Sequence, residues 1–346
     1  MNFRVANFNV ENLIVPDTRY YDRLILTQEE YDAKANWIAN IFNRVKPDIV
    51  GIQEVWSRDA LQDVVSRSFH FANGANICAP GTSKEENVRG RVAQRPRLAL
   101  ISRFPITDEQ SVAMFPDSVR IQIPLRIQDG KIRDVPVTID QFQRPILKAR
   151  VNVEGLDILV FVAHLKSKGP IIGSGEDGED PFVSSIGMAR STIVRAAEAV
   201  ALRHLILHEL SKTKTPVIVL GDLNDTQESA STQIVCGASP DERSDSKDKR
   251  TLWDTVLYPT YRIAAERSSS IHTHIFNGDR DILDHILVSD EFYSRNRYRI
   301  GTVMRHGVVN EHLRDSSDVP PPKGASDHGI PWAEISLSPG VPYTKA

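Results

Sequence analysis

Six short runs set polar and ionisable side chains at the ends of apolar, strand-like segments, where they could meet a ligand. Asn9 and Glu11 close the first, Phe3 to Val10, and strand alternation sends both to one face. On their own they read first as strand-end caps and second as contacts for a metal or a phosphate. Glu54 follows the apolar run Asp48 to Gln53, and a carboxylate at the end of a central strand suits a hard cation. His164 ends the run Leu156 to Ala163, with Lys166 and Lys168 just beyond, a set that fits the oxyanion of a phosphate. Asp222 and Asn224 follow Pro216 to Leu220 and a Gly221 turn, two residues apart and pointing the same way. Asp284 lies in the apolar run Ile282 to Val288, where a buried carboxylate needs a partner. Asp327 and His328 stand side by side in a loop after Pro320-Pro321-Pro322.

Further strands are expected at Arg97 to Ser102 and Ile146 to Val153, and helices separate several of the runs. Thr27-Gln28-Glu29-Glu30 predicts a capped helix start, followed by Trp37, Ile38, Ile41, Phe42 and Val45 at helical spacing until Pro47. A second helix is expected from about Met188 to Leu210, burying Ile193, Ala196, Ala197, Val200, Ala201 and Leu205, with Arg190 and Arg195 on the surface or against a loop. Within 104 to 145, alternating Ile121, Ile123 and Leu125, then Ile132, Val135 and Val137, predict an added hairpin. Breaks at 169–180, 239–249 and 320–322 contain no long linker, and the alternation of strand and helix favours one large α/β domain over 1–346.

With 346 residues, 40% hydrophobic and 25% charged, the chain has the composition of a globular protein, and no apolar run approaches a membrane-spanning length. Its 42 basic and 45 acidic residues give a net charge of -3, so any polyanion site must be local. Residues 84 to 150 hold thirteen Lys or Arg against eight Asp or Glu, and this surplus reads equally as a solvated surface or as phosphate steering. Cys78 and Cys236 are too few for a disulfide framework and lack zinc-site spacing, leaving one bridge open. The start, Met1-Asn2-Phe3-Arg4-Val5, reads as a core strand rather than a leader and points to the cytoplasm, with secretion open if a leader has been removed. His272 and His274 share one face of a strand-like segment before Asp284, where packing is the first reading and a wall of the active site the second, and His204 and His208 lie four apart on the long helix without a third ligand, which reads as a solvated face.

Taken together, Asn9, Glu54, His164, Asp222 with Asn224, Asp284 and the Asp327-His328 pair stand in the order and rough spacing of the endonuclease/exonuclease/phosphatase superfamily, which the chain resembles over residues 3 to 336. The resemblance implies an α/β four-layer sandwich, with two packed mixed β-sheets flanked by helices. It implies a Mg²⁺ or Mn²⁺ ion at loops on one end of the sheets, with Glu54 as chief ligand and Asn9, Glu11 and Asp327 near it. By the same likeness Asp222 orients or deprotonates the attacking water, and Asn224 and His164 contact the phosphate. His328, polarised by Asp284, serves as acid/base or stabilises the transition state. General chemistry agrees, since phosphodiester hydrolysis gathers negative charge that a cation and hydrogen-bond donors stabilise.

Two departures shift the likeness. Gly329 and Ile330 precede Pro331 where one residue is usual, which displaces the loop exit. His164-Leu165 stand where the abasic-site endonuclease branch carries Tyr and Asn, which moves the likeness toward nonspecific deoxyribonucleases, sphingomyelinases and inositol-phosphate phosphatases. The leading expectation is a metal-dependent phosphodiesterase acting on nucleic acid, supported by the basic segment with Lys166 and Lys168. The alternative is a lipid or inositol-phosphate phosphoesterase. No exposed apolar hairpin with a basic rim stands out in the sequence, so no stable membrane association is expected. A noncatalytic binding module ranks last, because every expected catalytic position holds a competent residue.

Overall fold

The structure is a computed structural model and describes residues 1–21, 24–80, 87–88, 91–92, 95–126, 132–212, 215–237, 254–314 and 320–338. Two mixed sheets dominate it. The first has seven strands in the order β10 (Glu266–Arg267), β12 (Gly301–Val309), β13 (Ile330–Leu337), β1 (Asn2–Leu13), β2 (Ile49–Val55), β4 (Arg97–Ser102) and β3 (Asn76–Cys78). The second has six, in the order β9 (Leu257–Pro259), β11 (Asp284–Ser289), β8 (Val217–Asp222), β7 (Leu156–His164), β6 (Gln141–Val153) and β5 (Ile106–Met114). The pairs β1 with β2 and β7 with β8 are parallel, and most of the others are antiparallel.

Period-two alternation builds the layers. In β1, Phe3 and Val5 enter the core between the sheets, while Ala6, Phe8 and Val10 face the other way and pack with Ala35, Ile38 and Phe42 of α1 (Gln28–Val45) and Leu61 and Val64 of α2 (Arg58–Arg67). In the second sheet Ile158, Val160 and Val162 of β7, with Ile218 and Leu220 of β8, fill the same central core. Leu159, Phe161, Val217 and Val219 turn outward onto Leu202 and Ile206 of α3 (Pro181–Lys212) and Val235 of α4 (Ala230–Cys236). The result is helix, sheet, sheet, helix. Each fully buried side chain such as Phe8 or Phe161 contributes roughly 1.5–3 kcal/mol of transfer free energy.

The capped start of α1 is present: Thr27 Oγ1 accepts from Glu30 N at 3.3 Å, and Glu30 Oε2 accepts from Thr27 N at 2.9 Å. The hairpin of Ile121–Arg126 and Ile132–Val137 is also present. Other expectations need correction. The long helix begins at Pro181 rather than near 188, and Ile193 is half exposed rather than buried; Arg195 meets a loop, as expected, with bonds to the Lys166 and Ser167 carbonyls and a salt bridge to Asp225 at 3.0 Å that bury its side chain. An apolar hairpin with basic neighbours does exist. Ile123, Leu125 and Ile132 are 46–67% exposed beside Arg126 and Arg133, since the alternating aliphatics run past the edge of the core cluster. Among the described residues no helix is long and apolar enough to cross a membrane.

Candidate active site

The alternation that fills the core also builds the site. On β1 the inward series Phe3, Val5, Asn7, Asn9 changes from apolar to polar toward the strand's end. On β7 it runs Ile158, Val160, Val162, His164, and on β8 Ile218, Leu220, Asp222, while β11 enters antiparallel with Asp284 before Ile286 and Val288. The register sets His164 opposite Asp222 and Asp222 opposite Asp284, one row across three neighbouring strands. Gly51 on β2 permits the sheets' close approach beneath this row: a Cβ there would meet Leu220 Cβ at 2.7 Å.

Asp284 is 1% exposed, and its Oδ2 lies 2.8 Å from His328 Nδ1, while Oδ1 accepts from Asn7 Nδ2 at 3.3 Å. Gln53 Nε2 in turn donates to Asn7 Oδ1 at 2.8 Å, so the amide is oriented. His328 is seated from several sides. Its N donates to Ser326 Oγ at 3.1 Å, Ser326 Oγ donates to Asn9 O at 2.8 Å, and the His328 carbonyl meets His312 Nε2 at 2.8 Å. With Nδ1 engaged, His328 Nε2 faces Asp222 Oδ2 at 3.8 Å. Asp222 Oδ2 accepts from Asn9 Nδ2 at 3.0 Å and lies 3.3 Å from His164 Nε2. Burial pulls the His328 imidazolium down, but Asp284 and Asp222 more than offset this and hold its pKa well above the ordinary range. Burial pushes Asp222 up, and the Asp284 charge adds to it. Burial, with the Arg144 and His328 cations nearby, drives His164 well below its ordinary value and keeps it neutral.

The other side of the site gathers carboxylates. Asn9 Nδ2 reaches Glu54 Oε1 at 3.4 Å, and His164 Nε2 stands 4.0 Å from the same oxygen. Glu11 and Asp327 lie close enough to raise the Glu11 pKa, a shift led by burial and reinforced by Glu54. Lys34 on α1, a buried cation, stands beside them with Nζ 4.0 Å from Glu11 Oε2. Glu11 does not reach this place by strand alternation, as expected from the sequence. Glu11 (φ 50) and Asn12 (φ 64) are left-handed, the pairing with β2 shifts between Asn9 and Leu13, and Glu11 N donates to Asn9 Oδ1 at 3.0 Å. Glu54 (φ 64) and Asn224 (φ 54) are left-handed too.

Asp222, Asp284 and His328 each offer a ligand atom within 4.8 Å of the others. An ion among them would have to displace the 2.8 Å bond between His328 and Asp284. The group of Glu11, Glu54, Asp327 and Asn9 fits a hard divalent cation better, because it offers three carboxylates against Lys34 beside Glu11 and the Arg144 charge acting on Glu54.

Three sequence expectations change here. Lys166 Nζ bonds Ser167 Oγ and the Gly169 carbonyl at 2.9 and 3.0 Å, and Lys168 Nζ bonds Asp281 at 2.9 Å, so both ammonium groups serve loops rather than the centre of the site. Asn224 gives its amide to the Leu165 carbonyl at 3.0 Å, and its N donates to Asp222 Oδ1 at 2.9 Å, so the left-handed turn orients Asp222. His274 follows the second of its two readings, a wall of the site: its ring lies 5.4 Å from that of His328. The Lys166 charge still acts on His164, but a larger effect comes from Arg144 on β6. Its Nη1 is buried without a hydrogen-bond partner among the described residues, and its charge acts on Glu54 and His164. Nothing in the sequence singled out Arg144, whereas the series Phe3, Val5, Asn7, Asn9 could have shown Asn7. Of the arginines expected to steer a polyanion, Arg89 lies outside the described residues, as does the side chain of Arg91; Arg95 is exposed and Arg97 half-buried.

Two face-to-face mixed sheets bring His and Asp side chains together between their ends. The chain matches the Endonuclease/Exonuclease/phosphatase family over residues 6–328, and it belongs to that family. Solved structures agree on the fold. An endonuclease/exonuclease/phosphatase family protein from Bacteroides thetaiotaomicron has a TM-score of 0.58 at 16% identity, covering 98% of this chain and 96% of that one. A mannosyl-6-phosphatase from the same organism has 0.56 at 17%, covering 97% and 100%, and truncated TDP2 from Caenorhabditis elegans has 0.53 at 13%, covering 97% and 98%. No curated protein sequence matches the chain.

Proposed function

We propose that this phosphoesterase is a nuclease, a divalent-metal-dependent phosphodiesterase that hydrolyses nucleic-acid phosphodiester bonds by attack of water. The observation that carries the hydrolytic reading is His328, fixed by Asp284 at 2.8 Å with Nε2 turned toward Asp222 beside the carboxylate group. Glu54, Glu11, Asp327 and Asn9 would hold Mg²⁺ or Mn²⁺, which supplies positive charge to the phosphate oxygens. Asp222, its proton affinity raised by burial, orients the water and takes its proton as the water oxygen bonds to phosphorus and the ester P–O bond breaks, the departing ester oxygen leaving with the bonding pair and taking its proton from solvent. His328, held protonated, donates to a phosphoryl oxygen as charge builds, and Arg144 and neutral His164 stand beside the same space. In this reading the chain works as one domain, since the residues assigned here come from both sheets, from Asn9 to His328. Two buried free thiols, Cys78 and Cys236, suit a reducing, cytoplasmic setting.

Nucleic acid is favoured over a small ester by Arg95, Arg120, Arg126 and Arg133, for which no ion pair is recorded among the described residues, together with Arg89 and Arg91 in the sequence. A lipid phosphoester is the second reading, supported by the exposed Ile123, Leu125 and Ile132. The deciding experiment incubates the protein with Mg²⁺ or Mn²⁺ and plasmid DNA, single-stranded DNA, RNA, sphingomyelin, inositol phosphates or mannose 6-phosphate. Cleavage of nucleic acid that weakens steeply with salt is expected. Neutralising Arg89, Arg91, Arg95 and Arg97 together should raise its KM while leaving a small artificial phosphodiester nearly unaffected. Turnover of monoesters or lipid alone would overturn the nuclease reading.

A further inference from the structure

A short hairpin, His274–Phe276 with Asp279–Asp281, stands over the His328 side of the site and is closed by Asn277 (φ 52) and Gly278 (φ 87), both left-handed as a tight two-residue hairpin turn requires. It is tied to the catalytic end at three points. Thr273, fully buried at its base, accepts at Oγ1 from the N–H groups of Leu283 and Asp284 at 2.9 and 3.1 Å. The Thr273 carbonyl accepts from Gly329 N at 2.6 Å, next to His328. Lys168, four residues beyond His164, bonds Asp281 at 2.9 Å. The hairpin therefore presents a fixed surface.

Its side chains form a series of rings leading out of the site. The His274 ring lies 5.4 Å from His328, and the Phe276 ring follows at 6.4 Å from His274, inclined by only 20°. Phe276 is 66% exposed. A single exposed aromatic is ordinary on a protein surface. This one has a flat, open face two ring contacts from the histidine that meets the phosphate, on a backbone pinned to that histidine's own loop.

We propose that Phe276 is a stacking platform for a nucleobase flanking the scissile phosphate, and that the enzyme therefore prefers substrates whose base is free of a pairing partner, in single strands or at frayed ends. The proposal rests on the nuclease reading above and adds the part of the substrate that is recognised. Every base has a π-face, so such a contact favours unpaired nucleic acid without reading its sequence. Burial lowers the His274 pKa, with His328 adding to the shift, and the resulting neutral ring continues the apolar path from the catalytic centre.

The test uses single-stranded oligothymidylates with one cleavable linkage, with and without the bases on the two nucleotides flanking it. Phe276→Ala should raise KM about tenfold on the complete oligonucleotide and leave kcat within about twofold. The baseless oligonucleotide should show the raised KM already with the wild-type enzyme and no further rise with the variant, while Phe276→Trp should restore the wild-type value. An equal effect on both oligonucleotides, or none on either, would overturn the stacking proposal and leave the nuclease reading intact. Cleavage of neither oligonucleotide would overturn both. If the variant's penalty appeared instead on mannose 6-phosphate, the ring would belong to a sugar site and the nucleobase proposal would be wrong.

Discussion

The two sides of the site are built on opposite principles. Around Asp284, Asn7, Gln53 and His328, donors meet acceptors in a buried chain, and folding alone completes the arrangement. Around Glu11, Glu54 and Asp327, like charges collect on irregular backbone with Lys34 as their buried counter-charge. The first side is assembled in advance, and on the proposed reading the second is left for a cation to finish. A protein can hold a paired buried carboxylate without help, but gathered carboxylates cost stability until a positive charge joins them.

The largest effect should come from breaking the assembled side. His328→Ala and Asp222→Ala should each lower turnover of a phosphodiester by about a hundredfold or more, with an unchanged far-ultraviolet circular dichroism spectrum. Near-normal turnover in a folded His328→Ala protein would show that the pair is structural only.

The open side should answer to metal in a way the assembled side does not. At a concentration of Mg²⁺ or Mn²⁺ a hundred times the dissociation constant, the folded state should gain about 2.7 kcal/mol in urea unfolding, and EDTA should remove the gain together with activity. Glu54→Gln should lose most of that stabilisation, whereas Asp284→Asn should keep it while losing activity. Equal loss in both variants would mean that the two sides are not separate.

A histidine outside both sides supplies a smaller contrast. His306 is 5% exposed, bonded to Thr260 Oγ1 at 3.0 Å with buried His285 nearby, and burial pushes its pKa down to about 4. The folded value lies below the unfolded one, so between the two the unfolded chain binds the extra proton. Stability is full above about pH 6.5 and is lost as pH falls toward 4. Between pH 7 and 5 the wild type should lose about 2 kcal/mol more than His306→Gln, measured by urea unfolding. Parallel pH profiles would contradict this.

Much of the site could be read from the sequence because its residues sit at the ends of strands, where apolar alternation gives way to a polar side chain. His164, Asp222 and Asp284 are such cases, and their cross-strand row follows from register. Strands of other character were missed. Ile106–Met114 is an edge strand carrying Asp108, Glu109 and Gln110, Gly301–Val309 shifts register after Val303, and Ile330–Leu337 contains Pro331. The left-handed breaks at Glu11 and Glu54 have no sequence marker, since glycine would announce such a conformation and carboxylates do not. Arg144 enters the site from a segment whose own pattern says nothing of its distant neighbours, whereas the alternation of His272 and His274 left a wall of the site open without deciding it.

A last prediction tests the floor that both sides share. Gly51→Ala should cost roughly 1–3 kcal/mol, because the added methyl collides with Leu220 where the sheets meet. Leu220→Ala in the same chain should return part of it in a double-mutant cycle. Full additivity of the two changes would place the strain elsewhere.

The positive φ angles at Glu11, Glu54 and Asn224 set a limit on how this protein can be improved. A non-glycine residue held there costs about 1–2 kcal/mol, so the end of the molecule that would do chemistry carries backbone strain that the rest of the fold must offset. Glycine at position 54 would relax the backbone and remove a repelling charge at once, and the variant should melt higher than the wild type while losing turnover. Selection for heat resistance alone would therefore drift toward an inert sandwich, and selection for activity would hold these strand ends in a conformation the rest of the two sheets must compensate.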